Sequence, residues 1–142
     1  IALVWYLMQP RRSKVEMIAW GAVALPAMAL LLVVMGFSYY DPRPFVVDGT
    51  VPLIPHDAGN GFPSDHTLIC SATSSIVFFY NKWFSVLLWV LTLLVGASRV
   101  YTEVHHPLDI AASMIMAATV SLLVWKFALP PIRDSELFTR VN

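Results

Sequence analysis

Charge is what this sequence has least of. Lys, Arg, Asp and Glu together make up 13% of its 142 residues, against about a quarter in a soluble domain. Nine cations balance nine acids, so there is no basic excess to meet a nucleic acid. Cysteine is nearly absent as well. Cys70 stands alone in an apolar run, which excludes a disulfide framework within the chain and suits a small buried hydrophobe. No initiator Met and no signal-peptide pattern open the sequence; it begins at Ile1 inside an apolar stretch, and the expectation is a chain truncated at its N-terminus. What remains is apolar. Hydrophobic residues are 58% of the chain and mean hydropathy is +0.68, the composition of a membrane protein.

A bilayer core takes about 20 mostly apolar residues per helix. Ile1–Met8 is too short for that and reads as the end of a spanning helix, closed by Gln9-Pro10 and by Arg11, Arg12 and Lys14. Met17–Tyr40 is long enough to span, with Pro26 a possible kink that neighbouring helices can satisfy. Residues 41–63, rich in proline and glycine, read as a loop. Ser64–Tyr80 is a shorter helix bearing Ser and Thr, ended by Asn81-Lys82; Phe84–Val104 and Pro107–Phe127 span again, and Pro130-Pro131 stops the last. The expected fold is all-α, a multi-pass transmembrane helix bundle with four full spans and the end of an earlier one. Residues 1–131 form the membrane domain and residues 132–142 a polar tail.

The few charges are unevenly placed. Arg11, Arg12, Lys14, Lys82, Lys126, Arg133 and Arg140 fall at one set of helix ends, and only Arg43 and Arg99 at the other. The positive-inside rule makes the first set, and the tail, cytoplasmic. Asp41, Asp48, Asp57, Asp65, Glu103 and Asp109 gather at the opposite, outer ends with all four histidines, His56, His66, His105 and His106. Clustered ionisable groups at membrane depth are usually functional. A wet outer rim accounts well for His56, Asp48 and Asp57, but poorly for Arg99, the one cation near the outer end of an apolar helix.

Three clusters carry the chemistry: Arg43-Pro44-Phe45, Pro63-Ser64-Asp65-His66, and Ser98-Arg99 followed by His105 and Asp109. Arginine's planar fork matches phosphate oxygens, and two of them can neutralise charge developing on a phosphoryl group. Ser64 and the backbone N–H groups after it stand at a helix N-terminus, an anion site, with Pro63 suited to starting that helix. His105 and Asp109, four apart, are expected on one helical face, the carboxylate orienting the imidazole as in a nucleophile–orienter pair. His66 can then protonate the leaving group. The set is complete for phosphoryl transfer through a phosphohistidine and requires no metal or other cofactor.

Blander readings stand beside these. His66 or His105 taken singly could be a helix cap or a surface residue. His66, His105, His106 and Asp109 could ligate a metal, although two nearby arginines would repel one. Ser98 could bond only to its own backbone, and His106 would point about 100° away from His105 on a helix.

Taken together, the clusters resemble the type 2 phosphatidic acid phosphatase superfamily, whose signature reads Lys-x6-Arg-Pro, Pro-Ser-Gly-His and Ser-Arg-x5-His-x3-Asp. The third part is met in full by Ser98, Arg99, His105 and Asp109. The second has Asp65 in place of Gly, and the first keeps Arg43-Pro44 but has Gly36 where Lys is expected. The resemblance implies a metal-independent membrane phosphatase, six spanning helices in the full protein, His105 as nucleophile, Asp109 as its orienter and His66 as acid and then base. It also implies Arg43, Ser64 and Arg99 as phosphate-binding residues. Pro-Ser-Asp-His, the Tyr40–Phe45 segment and Ile54-Pro55-His56 look like the bacterial undecaprenyl-diphosphate phosphatases of this superfamily, which recycle a cell-wall lipid carrier and confer bacitracin resistance. That implies a lipid diphosphate taken from the bilayer and a site on the extracytoplasmic face of the cell membrane. A phosphatidylglycerophosphate or phosphatidate phosphatase is the runner-up. A non-catalytic protein binding or transporting an anionic lipid would need the cations but not the His105–Asp109 pair.

Overall fold

The computed structural model describes residues 1–135. Seven α-helices follow one another: α1 (Ala2–Leu7), α2 (Arg11–Ser38), α3 (Pro44–Asp48), α4 (Asp65–Phe78), α5 (Lys82–Tyr101), α6 (Pro107–Leu123) and α7 (Leu129–Arg133). A π-helical stretch, Val124–Ala128, joins the last two. No strand forms among the described residues, only an isolated bridge between Pro42 and Asn60. The fold is all-α, as expected, and three segments are long and apolar enough to cross a membrane: Arg11–Ser38, Lys82–Tyr101 and Pro107–Arg133. The expected fourth span, α4, has 14 residues. At a rise of 1.5 Å per residue it is about 21 Å long, short of the roughly 30 Å of a bilayer core.

α4 is the hub. It packs along both α5 and α6 and touches α2 only sparsely. The Ser and Thr residues that set it apart in sequence form the seam: Ser74 Oγ lies 3.0 Å from Thr92 Oγ1, and Ser85 Oγ donates to Ser74 O at 2.8 Å. Small hydroxyl-bearing residues let helix backbones approach closely where no aqueous hydrophobic effect drives association. Gly96 does the same between α5 and α6, since a Cβ there would stand 2.5 Å from Ile110 Cγ2.

Pro26 lies within a continuous α2. One expectation about the helices is corrected. Pro130-Pro131 does not stop the last helix: the π turn widens the spiral and the prolines open α7, where a missing N–H leaves no hydrogen bond unmade. Ile132 and Arg133 therefore belong to a helix. Arg133 Nε donates to Glu16 Oε1 at 3.2 Å, Tyr80 Oη to Glu16 Oε2 at 2.9 Å, and the guanidinium lies 4.1 Å from the Trp125 ring centroid. This knot ties α2, the end of α4 and α7 together at the end of the bundle away from the histidines. The rest of the polar tail, from residue 136, lies outside the described residues.

Candidate active site

The loop between α2 and α4 builds one wall of the site, and Asn60 holds it in shape. Its side-chain nitrogen donates to Gly36 O and Tyr39 O, while its Oδ1 accepts from Asp41 N and Phe62 N. The next residue, Gly61, is pressed against the centre of the site. A Cβ on it would meet Asp109 Oδ2 at 3.1 Å and Asp41 O at 3.3 Å.

His105 lies in the linker between α5 and α6, 2% exposed. Its Nδ1 is 2.8 Å from Gly61 O and 3.3 Å from Asp109 Oδ2. Both neighbours are acceptors, so Nδ1 carries the hydrogen, and Nε2, buried and without a partner, keeps its lone pair. The pairing with Asp109 is as expected; its cause is not. His105 precedes the start of α6, so the two meet through a turn and not along one helical face. Asp109 is held as a helix-capping carboxylate, accepting from the backbone N–H of His106 at 2.8 Å. The shorter bond to His105 comes from the Gly61 carbonyl, which sequence reasoning missed, because nothing local to residue 61 announces a partner 44 residues away. His106 likewise stands before the helix and turns to Asp41, Nδ1 to Oδ2 3.3 Å.

Arg43 begins α3 and is buried. Its Nη1 donates to Val104 O at 2.7 Å and its Nη2 to Asn60 O at 3.2 Å, which leaves Nε unpartnered. Burial lowers the Arg43 pKa from its ordinary value, Asp65 and Asp109 oppose that, and Arg99 adds to it. Arg99 occupies the last turn of α5, its Nε also buried without a partner. Ser64 is the fully buried N-cap of α4, its Oγ donating to Thr67 Oγ1 at 3.1 Å, and its backbone N–H reaches Asp109 O at 3.4 Å. A cavity of about 380 Å³ opens beside this group, lined by Arg43, Asp65 and His105 and, on the α2 side, by Leu32, Gly36 and Phe37.

Five of the six expected residues, Arg43, Ser64, Arg99, His105 and Asp109, thus converge from four different parts of the chain. His66 is exposed, with Nδ1 2.7 Å from Oδ1 of Asp65, a residue that lines the cavity with His105. Ser98, as the bland reading had it, bonds to its own helix through Val95 O. The ring of His56 stands edge-on to that of His105, with centroids 6.4 Å apart. The sequence assigns His56 to the outer rim, and it is partly exposed. The metal set of His66, His105, His106 and Asp109 does not assemble; among the described residues, Asp41, His106 and Asp109 are those whose ligand atoms all lie within 4.8 Å of one another.

Comparison across families matches residues 16–132 to the PAP2 superfamily. The chain belongs to the PAP2 superfamily. Among curated relatives, this PAP2 chain is 30% identical over 128 residues to the undecaprenyl-diphosphatase BcrC of Bacillus subtilis strain 168, which covers 90% of the chain and 66% of that relative. It is 31% identical over 124 residues to the bacitracin transport permease protein BcrC of Bacillus licheniformis, covering 87% and 61%. It is also 36% identical over 83 residues to the undecaprenyl-diphosphatase of Sulfolobus acidocaldarius, covering 57% and 40%. The PAP2 chain spans about two thirds or less of the length of each. No solved structure matches it.

Proposed function

We propose that this PAP2 protein is a membrane lipid phosphatase that dephosphorylates undecaprenyl diphosphate to undecaprenyl phosphate through a phosphohistidine on His105, at the extracytoplasmic face. The observation that carries the reading is the state of His105: Nδ1–H held between two acceptors, Nε2 buried and unpartnered beside a cavity it shares with Arg43. An in-line attack by Nε2 on the terminal phosphorus forms the N–P bond and releases the lipid phosphate. Arg43 and Arg99, each with a buried Nε donor that has no partner, would neutralise charge developing on the transferring phosphoryl group, and the N-terminus of α4 would add its dipole. Asp109 and the Gly61 carbonyl keep the imidazole in the required tautomer. His66, as the family resemblance implies, serves as the acid for poor leaving groups and as base for the second step. The names of the Bacillus and Sulfolobus relatives support the choice of a polyprenyl diphosphate.

Phosphate release from a panel of lipid mono- and diphosphates, by the full-length protein in detergent with excess EDTA, tests this. Release is expected, greatest from undecaprenyl diphosphate. Preference for phosphatidylglycerophosphate would move the protein to the runner-up substrate. Activity lost to EDTA and restored by zinc or magnesium would transfer the chemistry to the Asp41, His106 and Asp109 cluster. Binding without release would make the protein an anionic-lipid binder.

A further inference from the structure

We propose that Asp41, His106 and Asp109 form a binding site for a zinc-class divalent cation, and that its occupancy slows the enzyme. The site stands on its own geometry; its effect on turnover rests on the phosphohistidine reading above. One ligand atom from each residue lies within 4.8 Å of the other two. His106 Nδ1 is 3.3 Å from Asp41 Oδ2. A tetrahedral zinc with bonds of about 2.0–2.2 Å spaces its ligand atoms by about 3.3–3.6 Å. The two atoms make no hydrogen bond, and His106 Nδ1 is buried without a partner. Asp109 is fully buried, and its Oδ1 likewise has no partner. The Asp41 and Asp109 carboxyls act directly on one another. Buried polar atoms left unsatisfied in one cluster are what a bound ion would satisfy.

The chain holds these ligands in place by its backbone. Asp41 N–H donates to Asn60 Oδ1 at 2.9 Å, and Asp41 O accepts from Gly61 N–H at 2.8 Å. His106 N–H donates to Asp109 Oδ2 at 2.8 Å, at the start of α6. One imidazole and two carboxylates suit zinc better than magnesium, which favours oxygen donors. Two carboxylates also balance a divalent charge. Three protein ligands leave the fourth tetrahedral position to water. The charges that act on Asp41 are those of His106 and Asp109, and neither Arg43 nor Arg99 is among them. Of the three ligands only Asp109 acts on Arg43, so repulsion from that arginine reaches the cluster at one corner.

Asp109 links this site to the nucleophile. Its Oδ2 is 3.3 Å from His105 Nδ1, and its other oxygen is the one without a partner. The carboxylate's charge stabilises the imidazole as Nε2 attacks phosphorus. A cation on Oδ1 would withdraw that charge from His105. The Gly61 carbonyl still holds the Nδ1 hydrogen, so turnover slows and does not stop.

Titration of the full-length protein in detergent, stripped with EDTA and dialysed, with Co²⁺ or Zn²⁺ alone tests this. Co²⁺ is expected to bind with the visible absorption of a tetrahedral site. Either ion should lower phosphate release from a lipid diphosphate by about 10–100-fold, the size of effect typical of groups one bond beyond a metal's ligands. EDTA should restore the rate. Asp41→Asn and His106→Gln should keep close to the parent's metal-free rate, which shows them folded. Both should lose the Co²⁺ absorption and need about 10-fold or more metal for the same inhibition. Absorption and inhibition unchanged in both variants would put the cation elsewhere and overturn the site. Absorption without any slowing of the parent would overturn the coupling through Asp109. Activation by the metal would overturn the inhibitory role and the metal-free chemistry together. A stripped parent that releases no phosphate would overturn the phosphohistidine reading, and the Co²⁺ spectra of parent and variants would still decide the site.

Discussion

Nδ1 of His105 is shared between a backbone carbonyl at 2.8 Å and a carboxylate at 3.3 Å, and this division predicts unequal losses. His105→Ala should abolish turnover while phosphate binding persists. Asp109→Asn should fall short of that, because the Gly61 carbonyl still holds the Nδ1 hydrogen; phosphate release assays on both variants check the order, and residual activity in His105→Ala would refute its role. His66 tests the other end of the reaction. A lipid monophosphate must expel a basic alkoxide, whereas a lipid phosphate, with a second pKa of about 6 by analogy with phosphorylated side chains, leaves unaided. His66→Ala should therefore slow the phosphorylation burst on a monophosphate far more than on a diphosphate, and equal losses would make His66 a binding group. Glu103 raises a question of backbone strain. It sits at φ +62°, a left-handed conformation that disfavours any side chain with a Cβ, and its carboxylate accepts from Thr50 Oγ1 at 2.6 Å. Its backbone oxygen receives Phe45 N, so the strained turn fixes α3 against the His105 linker. Glu103→Gly should leave stability within about 1 kcal/mol of the parent, and Glu103→Val should lower it by about 1–2 kcal/mol. Thermal unfolding in detergent reads the difference, and a Val variant as stable as the parent would show that the linker relaxes.

At the scale of elements, the site depends on how closely α5 approaches α6. α5 carries Arg99 in its last turn and leads directly into the linker bearing His105, and Gly96 lets Ile110 of α6 lie against the α5 backbone. Gly96→Leu should destabilise the bundle by about 1–3 kcal/mol, the range for forced overpacking. Because the displaced end of α5 carries Arg99, phosphate affinity should fall as well. Unfolding midpoints and phosphate binding together check this, and an unaltered pair of values would mean that α5 and α6 are free to separate. α4 anchors the opposite wall: Ser113 Oγ, from α6, donates to Ser64 O at 2.7 Å, which locks the N-terminus of α4 beside Asp109.

For the whole molecule, all the expected site residues lie at one end of the bundle and the Glu16–Tyr80–Arg133 knot at the other. The uneven spread of Lys and Arg supports the proposed extracytoplasmic position of the site end. Single cysteines at Gly59, where an added Cβ meets nothing within 4 Å, and at Ser135, in a Cys70→Ser background, should report this with an impermeant thiol reagent on intact cells. Gly59→Cys should label and Ser135→Cys should not; the reverse pattern would invert the topology.

Hydrophobic run length and the placing of prolines and charges determined by themselves that the chain is helical, where most helices lie and that the polar chemistry gathers at one end. These are local properties, written along the chain at the period of the helix. The spacing within Ser98-Arg99-x5-His105-x3-Asp109 likewise made four of the motif residues legible, because a turn joins them. Tertiary structure alone decided which groups touch His105. The Gly61 carbonyl and the His56 ring reach it from a loop whose path is set by Asn60 bonding to four backbone groups, and loop paths depend on such long-range hydrogen bonds, which no periodicity encodes. The Glu16–Arg133 bond was hidden for the same reason: it joins residues 117 apart. The short α4 and the helix carried through Pro130-Pro131 were decided by packing, since buried neighbours and a π turn overrode the stop that the local sequence announced.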